Sequence, residues 1–166
     1  MALAEAWDPA GVSLRPMRLQ DVDFVLRVER RSFTAPWSRQ AFLTELVDNQ
    51  FARYWVMEYR GRIIGYVGVW LIVDEGHITN IAIDPEFRGR RLGERLLRAL
   101  MAQCVAHGMQ RVTLEVRVTN EVAQNLYRKL GFVDSGVRKG YYTDNREDAL
   151  IMWAELPPNG PQMPQD

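Results

Sequence analysis

Residues 80–97 read NIAIDPEFRGRRLGERLL: an apolar run of strand character, a basic turn containing glycine, then a stretch of helix character. Any fold for this chain has to seat a strand and a helix on either side of that turn. A helix start of this kind favours anions, because its first backbone N–H groups lack intrahelical partners and the macrodipole adds about half a positive charge there. Arg88, Arg90 and Arg91 flank Gly89 and add side-chain cations, while Gly93 has no Cβ to obstruct a bulky pyrophosphate. Taken alone, the turn is equally compatible with an ordinary connection whose arginines are solvated.

The chain has 166 residues and a mass of 19.2 kDa, and 47% of the residues are hydrophobic, which suits one soluble globular domain with a sizeable core. Lys+Arg and Asp+Glu both number 21, so the formal charge is zero and the broad basic surface of a nucleic-acid binder is not expected. Cys104 is the single cysteine, which excludes an intrachain disulfide, and the first residues lack the basic-then-apolar pattern of a secretory signal. A reducing, cytoplasmic setting is expected. No stretch approaches the roughly 18 uninterrupted apolar residues of a membrane span, so no membrane partner is expected. His77 and His107 do not combine with Cys104 into a metal-ligand pattern, so no metal is expected either.

Residues 1–11 and 157–166 lack periodicity or are rich in turn formers, and read as tails around one domain spanning 12–156. Residues 12–17 suit a first strand. Asp21 can cap a helix carrying Val22, Val25, Leu26 and Val28, and Ser38 can cap a second carrying Phe42, Leu43, Leu46 and Val47. The aromatic loop between them, with Phe33, Pro36 and Trp37, is either a lid or packing. From Tyr54 the segments YWVMEY, IIGYVGVWLIV and HITNIAI read as an antiparallel meander turning at Arg60-Gly61. The helix after the basic turn runs to His107 and ends at Gly108, with Leu92, Leu96, Leu100 and Cys104 at four-residue spacing, so Cys104 reads as core. Residues 111–119 alternate, with Val112, Leu114, Val116 and Val118 on one face and Thr113, Glu115, Arg117 and Thr119 on the other. Asn120 can cap a helix carrying Ala123, Leu126, Tyr127 and Leu130 that stops at Gly131, and two strands follow near 132–139 and 147–156.

This order of elements, the RGRRLG turn, the LEVR strand, the Asn120-x-x-Ala123-x-x-x-Tyr127 helix and the LGF after it resemble the GNAT superfamily of acetyl-coenzyme A-dependent N-acetyltransferases, over about residues 12–156. PW near residue 36, DEGHITNIAIDP, LEVRVTN, LYRKLGF and GYYTDNREDALIM further resemble the RimI type, whose members acetylate the N-terminal alanine of small-subunit ribosomal protein eighteen. The resemblance implies an α/β (α+β) fold, a mixed but mainly antiparallel central sheet flanked by helices. It implies acetyl-coenzyme A as co-substrate and a protein N-terminus, most closely a ribosomal one, as acceptor. The superfamily's turn usually places glycine where this chain has Arg91, and an arginine there needs a helical backbone geometry that admits a Cβ.

Carried over by position, the backbone of Ile81, Ala82 and Ile83 pairs with the pantetheine arm and Arg88, Gly89, Arg90, Arg91, Leu92, Gly93 and Glu94 hold the pyrophosphate. Asn120 becomes a further coenzyme contact, a role compatible with capping its helix. Glu115 matches the position of the base and Tyr127 that of the acid for the departing thiolate. Read without the resemblance, Glu115 is a surface carboxylate paired with Arg117 and Tyr127 a half-buried anchor of its helix. An N–H near Ile81 or Ala82 would stabilise the tetrahedral oxyanion. Trp37, Tyr141 and Tyr142 are candidates for binding the acceptor peptide, or for core packing. A different acceptor amine, or a non-catalytic acetyl-coenzyme A-binding module, uses the same fold. A P-loop nucleotidase does not fit, because the turn lacks the Gly-Lys-Ser/Thr ending.

Overall fold

A computed structural model describes residues 6–158. The strands are β1 (Val12–Pro16), β2 (Ala52–Tyr59), β3 (Arg62–Ile72), β4 (Glu75–Ile83), β5 (Arg111–Arg117), β6 (Val133–Arg138) and β7 (Ala149–Glu155). The helices are α1 (Val22–Ser32), α2 (Arg39–Val47), α3 (Leu92–Ala106) and α4 (Glu121–Lys129). Among the described residues the seven strands form one sheet, ordered β1-β2-β3-β4-β5-β7-β6. Every neighbouring pair is antiparallel except β4 and β5, which run parallel and pair only over Glu75–His77 against Arg111–Thr113. A parallel pair needs a crossover, and α3 supplies it. Beyond His77 the two strands part, leaving two arms of sheet, β1 to β4 and β5 to β7.

The period of two along the strands sends alternate side chains to opposite faces. Val56 and Tyr66 pack with Val22, Val25 and Phe42 from α1 and α2, whereas their neighbours Met57 and Val67 pack with Leu96, Leu97 and Leu100 of α3 and Tyr127 of α4. Covered on both sides, β3 is buried from Ile63 through Val69, which is why that segment is an unbroken apolar run rather than an alternating one. Removing a side chain such as Phe42, which has no exposed surface, from water contributes about 2 kcal/mol.

A buried polar chain ties the first arm to its helices. The register of β3 against β4 jumps from Gly68 opposite Asn80 to Val69 opposite Ile78, so Thr79 is the extra residue of a bulge. The Thr79 hydroxyl bonds Asn80 Oδ1 at 2.8 Å and meets the Tyr54 hydroxyl at 3.1 Å. The Tyr54 hydroxyl donates to Glu45 Oε1 at 2.9 Å, and Trp70 Nε1 donates to the same oxygen at 2.6 Å. On the other side, Asn80 Nδ2 donates to the Tyr66 hydroxyl at 3.0 Å, and that hydroxyl donates to Glu29. Burial holds the Glu29 carboxyl above the usual carboxylate range, against the lowering effect of the Trp37 N–H and the Tyr66 hydroxyl. Gly68 leaves the space Tyr54 needs, since a Cβ there would stand 2.2 Å from a Tyr54 ring carbon.

Several local expectations are corrected. Asp21 does not cap α1; it closes a 3₁₀ turn over Leu19–Asp21 by accepting the Arg18 N–H at 2.7 Å and is gripped by both Arg15 Nη atoms at 2.6 and 2.8 Å. Of the expected tail 1–11, residues 6–11 are described: the Trp7 ring centre lies 4.4 Å from that of Tyr59 and Pro9–Gly11 form a largely exposed 3₁₀ turn. β5 ends at Arg117 rather than at Thr119, with one further bond in the β5–β7 register, from the Val118 N–H to the Asp148 carbonyl at 3.2 Å. Of the expected tail 157–166, residues 159–166 lie outside the described residues. Cys104 is buried, as its spacing implies, and burial pushes its thiol up to about 12.

Gly68→Ala should displace the Tyr54 ring and lower stability by about 2 kcal/mol, seen in urea unfolding as a lower midpoint at unchanged slope. An unchanged midpoint would mean that the ring moves aside without loss.

Candidate active site

The site follows from the parting of β4 and β5. Past His77, β4 keeps its bonds to β3 but has no strand on its β5 side, so Ile81, Ala82 and Ile83 line an open edge. The edge runs straight into the basic turn. Asp84, only 1% exposed, accepts the Glu86 N–H at 3.0 Å and opens a 3₁₀ turn over Pro85–Phe87. Gly89 follows with φ +82° and Arg91 with φ +59° and ψ +26°. Arg91 therefore adopts the left-handed geometry that glycine takes freely, not the helical one expected from its Cβ. It is the N-cap of α3 but makes no capping bond, so the N–H groups of the first turn are left to another acceptor. A Cβ added at Gly93 would meet only Leu126, at 3.6 Å, and otherwise open space. An uncapped helix start, an open approach at Gly93 and a free strand edge together fit a long ligand with amides at one end and phosphates at the other.

The turn's arginines do not act alike. Arg88 Nε folds back to the Ile83 carbonyl at 3.0 Å. Arg90 donates to the Glu86 carbonyl at 3.0 Å, with its guanidinium 4.7 Å from the Trp7 ring centre. Both brace the turn. The Arg91 side chain is exposed and makes no ion pair or hydrogen bond among the described residues, so its guanidinium is free to meet an anion. Leu92 is buried at 4% exposure, so only its backbone faces a ligand. Glu94 accepts from Lys129 at 2.7 Å and Arg98 at 3.0 Å, which ties α3 to α4 and, with Lys129 as the larger cause, holds its carboxyl below the usual range. Asn120 caps α4 by accepting the Ala123 N–H at 3.2 Å.

Glu115 projects from the polar face of β5, with its side chain 8% exposed. It does not pair with Arg117. Its Oε1 lies 2.8 Å from His77 Nε2 on β4, and its Oε2 lies 3.7 Å from Arg138 Nε on β6. An ionised carboxylate only accepts, so the imidazole is the donor of that bond. The Trp70 ring meets the His77 ring edge-on at 5.9 Å and limits its swing. Tyr127 on α4 packs against Phe132, and burial pushes its phenol up to about 12. Its hydroxyl has no hydrogen-bond partner among the described residues, which leaves its proton to be offered elsewhere.

Of the aromatic candidates, Tyr141 and Tyr142 stand near Glu115 and Trp37 lies in the α1–α2 cluster. The Arg138 guanidinium lies 5.7 Å from the Tyr141 ring centre and so connects Glu115 to that ring; Tyr142 meets Tyr141 at 5.1 Å, edge-on. Trp37 is half-buried against Phe42 at 5.3 Å, and its N–H donates to Glu29 Oε2 at 2.8 Å. Its loop is thus fixed by packing, yet exposed around Thr34. Sequence reading missed His77, Arg138 and Glu29. His77 could be found only from the β4–β5 register, which sets it opposite Thr113, two residues before Glu115 on the same face.

Comparison with known proteins gives the family and the fold. Residues 22–132 match the model of the acetyltransferase (GNAT) family. A Bacillus subtilis protein provisionally named a ribosomal protein bS18-alanine N-acetyltransferase is 49% identical over 144 residues, covering 87% of this chain and 95% of the relative. The Escherichia coli protein named [ribosomal protein bS18]-alanine N-acetyltransferase is 33% identical over 144 residues, covering 84% and 95%. The crystal structure of the Escherichia coli ribosomal-protein-S18-alanine N-acetyltransferase superposes with a TM-score of 0.83 at 28% identity, covering 93% of this chain and 99% of that one.

Replacing Arg91 by glycine should relieve the left-handed strain and stabilise the fold by about 0.5 to 1 kcal/mol, after allowing for glycine's greater freedom when unfolded. Denaturant unfolding of Arg91→Gly measures this, and a loss of stability would contradict the strain.

Proposed function

The chain belongs to the GNAT acetyltransferase family, and from that premise we propose that it acetylates the N-terminal amine of a protein, specifically the N-terminal alanine of ribosomal protein bS18. Members of this family use acetyl-coenzyme A, which supplies the acyl thioester. One observation supports the reading for this chain: the free edge of β4 runs into the uncapped start of α3, and where β4 and β5 part Glu115 of β5 reaches across to His77 of β4.

In this reading the edge at Ile81, Ala82 and Ile83 binds the amide-bearing arm as an added strand, and the turn from Arg88 to Glu94 binds the pyrophosphate through backbone N–H groups and the Arg91 side chain. Asn120 borders the same arm. The acceptor arrives as an ammonium and must lose a proton before it attacks. Glu115 takes that proton, directly or through water. His77 donates to Glu115 Oε1 at 2.8 Å and so holds the carboxylate in one orientation. An N–H at Ile81 or Ala82 stabilises the oxygen that becomes negative as the amine adds, and Tyr127 protonates the departing sulfur. Tyr127 is suited to this because its raised pKa keeps it protonated throughout the neutral range. Trp37, Tyr141 and Tyr142 flank the peptide end. A cytoplasmic setting and a ribosomal-protein partner accompany this function.

Incubating the protein with acetyl-coenzyme A and peptides that differ in their first residues tests the acceptor. Preference for an Ala-first peptide of bS18 supports the reading, and turnover indifferent to the first residue defeats it. Glu115→Gln and Tyr127→Phe should each lower kcat about a hundredfold while acetyl-coenzyme A still binds. Since the Tyr127 proton is retained until the pH nears about 12, the pH–rate profile should show no alkaline fall from this group below that range.

A further inference from the structure

The two loops beside the acceptor end of the cleft belong to different arms of the sheet. The α1–α2 loop sits on the β1 to β4 arm and the β6–β7 loop closes the β5 to β7 arm. The Thr34 hydroxyl of the first nonetheless donates to Asp144 Oδ2 of the second at 2.5 Å, across 110 positions of sequence. Each loop is fixed on its own side of that bond. Arg117 is the hub of the second: it donates to Asp144 Oδ2 at 2.8 Å, Glu147 Oε1 at 3.2 Å and Asn145 Oδ1 at 3.1 Å, and its guanidinium lies 4.0 Å from the Tyr142 ring centre. Glu147 in turn accepts from the N–H and hydroxyl of Thr119, at 3.0 and 2.5 Å. The first loop is held by the Trp37 N–H on buried Glu29. Glu115 stands two residues before Arg117 on β5, with Arg138 linking it to Tyr141.

We propose that the Thr34–Asp144 bond, anchored by Arg117, is a strap across the acceptor entrance that sets Trp37 and Tyr142 on either side of the incoming peptide end. Thr34 and Asp144 are then positioning residues for the acceptor and not for the coenzyme. By joining two stiffened loops before the peptide arrives, the strap removes an ordering cost that binding would otherwise carry. The proposal rests on the N-terminal acetyltransferase reading.

The full chain tests it through Thr34→Val, Thr34→Ser, Asp144→Ala and the double variant Thr34→Val with Asp144→Ala. For an Ala-first peptide that the parent acetylates, Thr34→Val should raise KM about fivefold, and Thr34→Ser, which keeps the hydroxyl, should stay within about twofold of the parent. Adding Thr34→Val to Asp144→Ala should cost almost nothing more, and the acetyl-coenzyme A Kd from calorimetry should be unchanged in all four. An unchanged peptide KM in Thr34→Val, an equal weakening of coenzyme binding, or full additivity in the double variant would overturn the strap. If the parent acetylates no peptide, the acceptor reading fails and the strap's role in acceptor binding is overturned with it, while amide hydrogen exchange over residues 141–146 separately tests whether the Thr34–Asp144 bond joins the loops. Faster exchange in Thr34→Val than in Thr34→Ser supports it; equal exchange refutes it.

Discussion

Three residue pairs hold the two arms of this sheet together. Glu75–His77 against Arg111–Thr113 is the whole of the β4–β5 ladder, and the proposed site lies where that ladder stops. The bulge at Thr79 begins two residues past the last pair, and a bulge bends its strand and increases local twist, which carries β4 away from β5. The parting frees one backbone edge, opens the approach to the start of α3, and leaves His77 as the last β4 residue able to reach across to Glu115. A longer ladder would be more stable as a sheet and would close the cleft.

The polar chain from Trp37 through Glu29, Tyr66, Asn80, Thr79 and Tyr54 to Glu45 runs beneath that opening. Glu29 and Glu45 are 2% and 9% exposed, and neither has a basic partner among the described residues. Buried carboxylates without cations are costly unless hydrogen bonds occupy their oxygens, and here backbone, hydroxyl, amide and indole donors do so. Such a network stabilises poorly for its size but tolerates only one arrangement. It fixes the α1–α2 loop, the bulge and the Trp70 ring beside His77 with respect to one another.

The fold was legible wherever chemistry is local. Period-two alternation located β5 and the face of Glu115, four-residue spacing located α3 and its buried Cys104, and Gly108 and Gly131 marked helix ends. The expectation that the turn binds an anion has the same local origin, since it rests on consecutive residues. What stayed hidden depends on register and topology. Nothing local says that β7 inserts between β5 and β6, or that β4 and β5 meet for only three pairs, and so the plain alternative for Glu115, a surface pairing with Arg117, could not be replaced by His77 and Arg138 from sequence. Asp21 was misjudged: its grip on Arg15 is an interaction between neighbouring elements that competes with helix capping. Arg91 was expected to bend the turn toward a helical geometry, but the flanking strand and helix impose the left-handed one and the side chain tolerates it.

The position of Cys104 has a practical side. Its thiol faces Gly76 and the aliphatic floor of α3, 3.1 Å from where a Cβ on that glycine would stand, and no other cysteine occurs in the chain. Burial keeps it protonated and unreactive at neutral pH. The folded protein therefore presents no competing sulfhydryl to an aromatic disulfide indicator, and thiol liberated during turnover can be followed by colour, continuously, against a blank protein background.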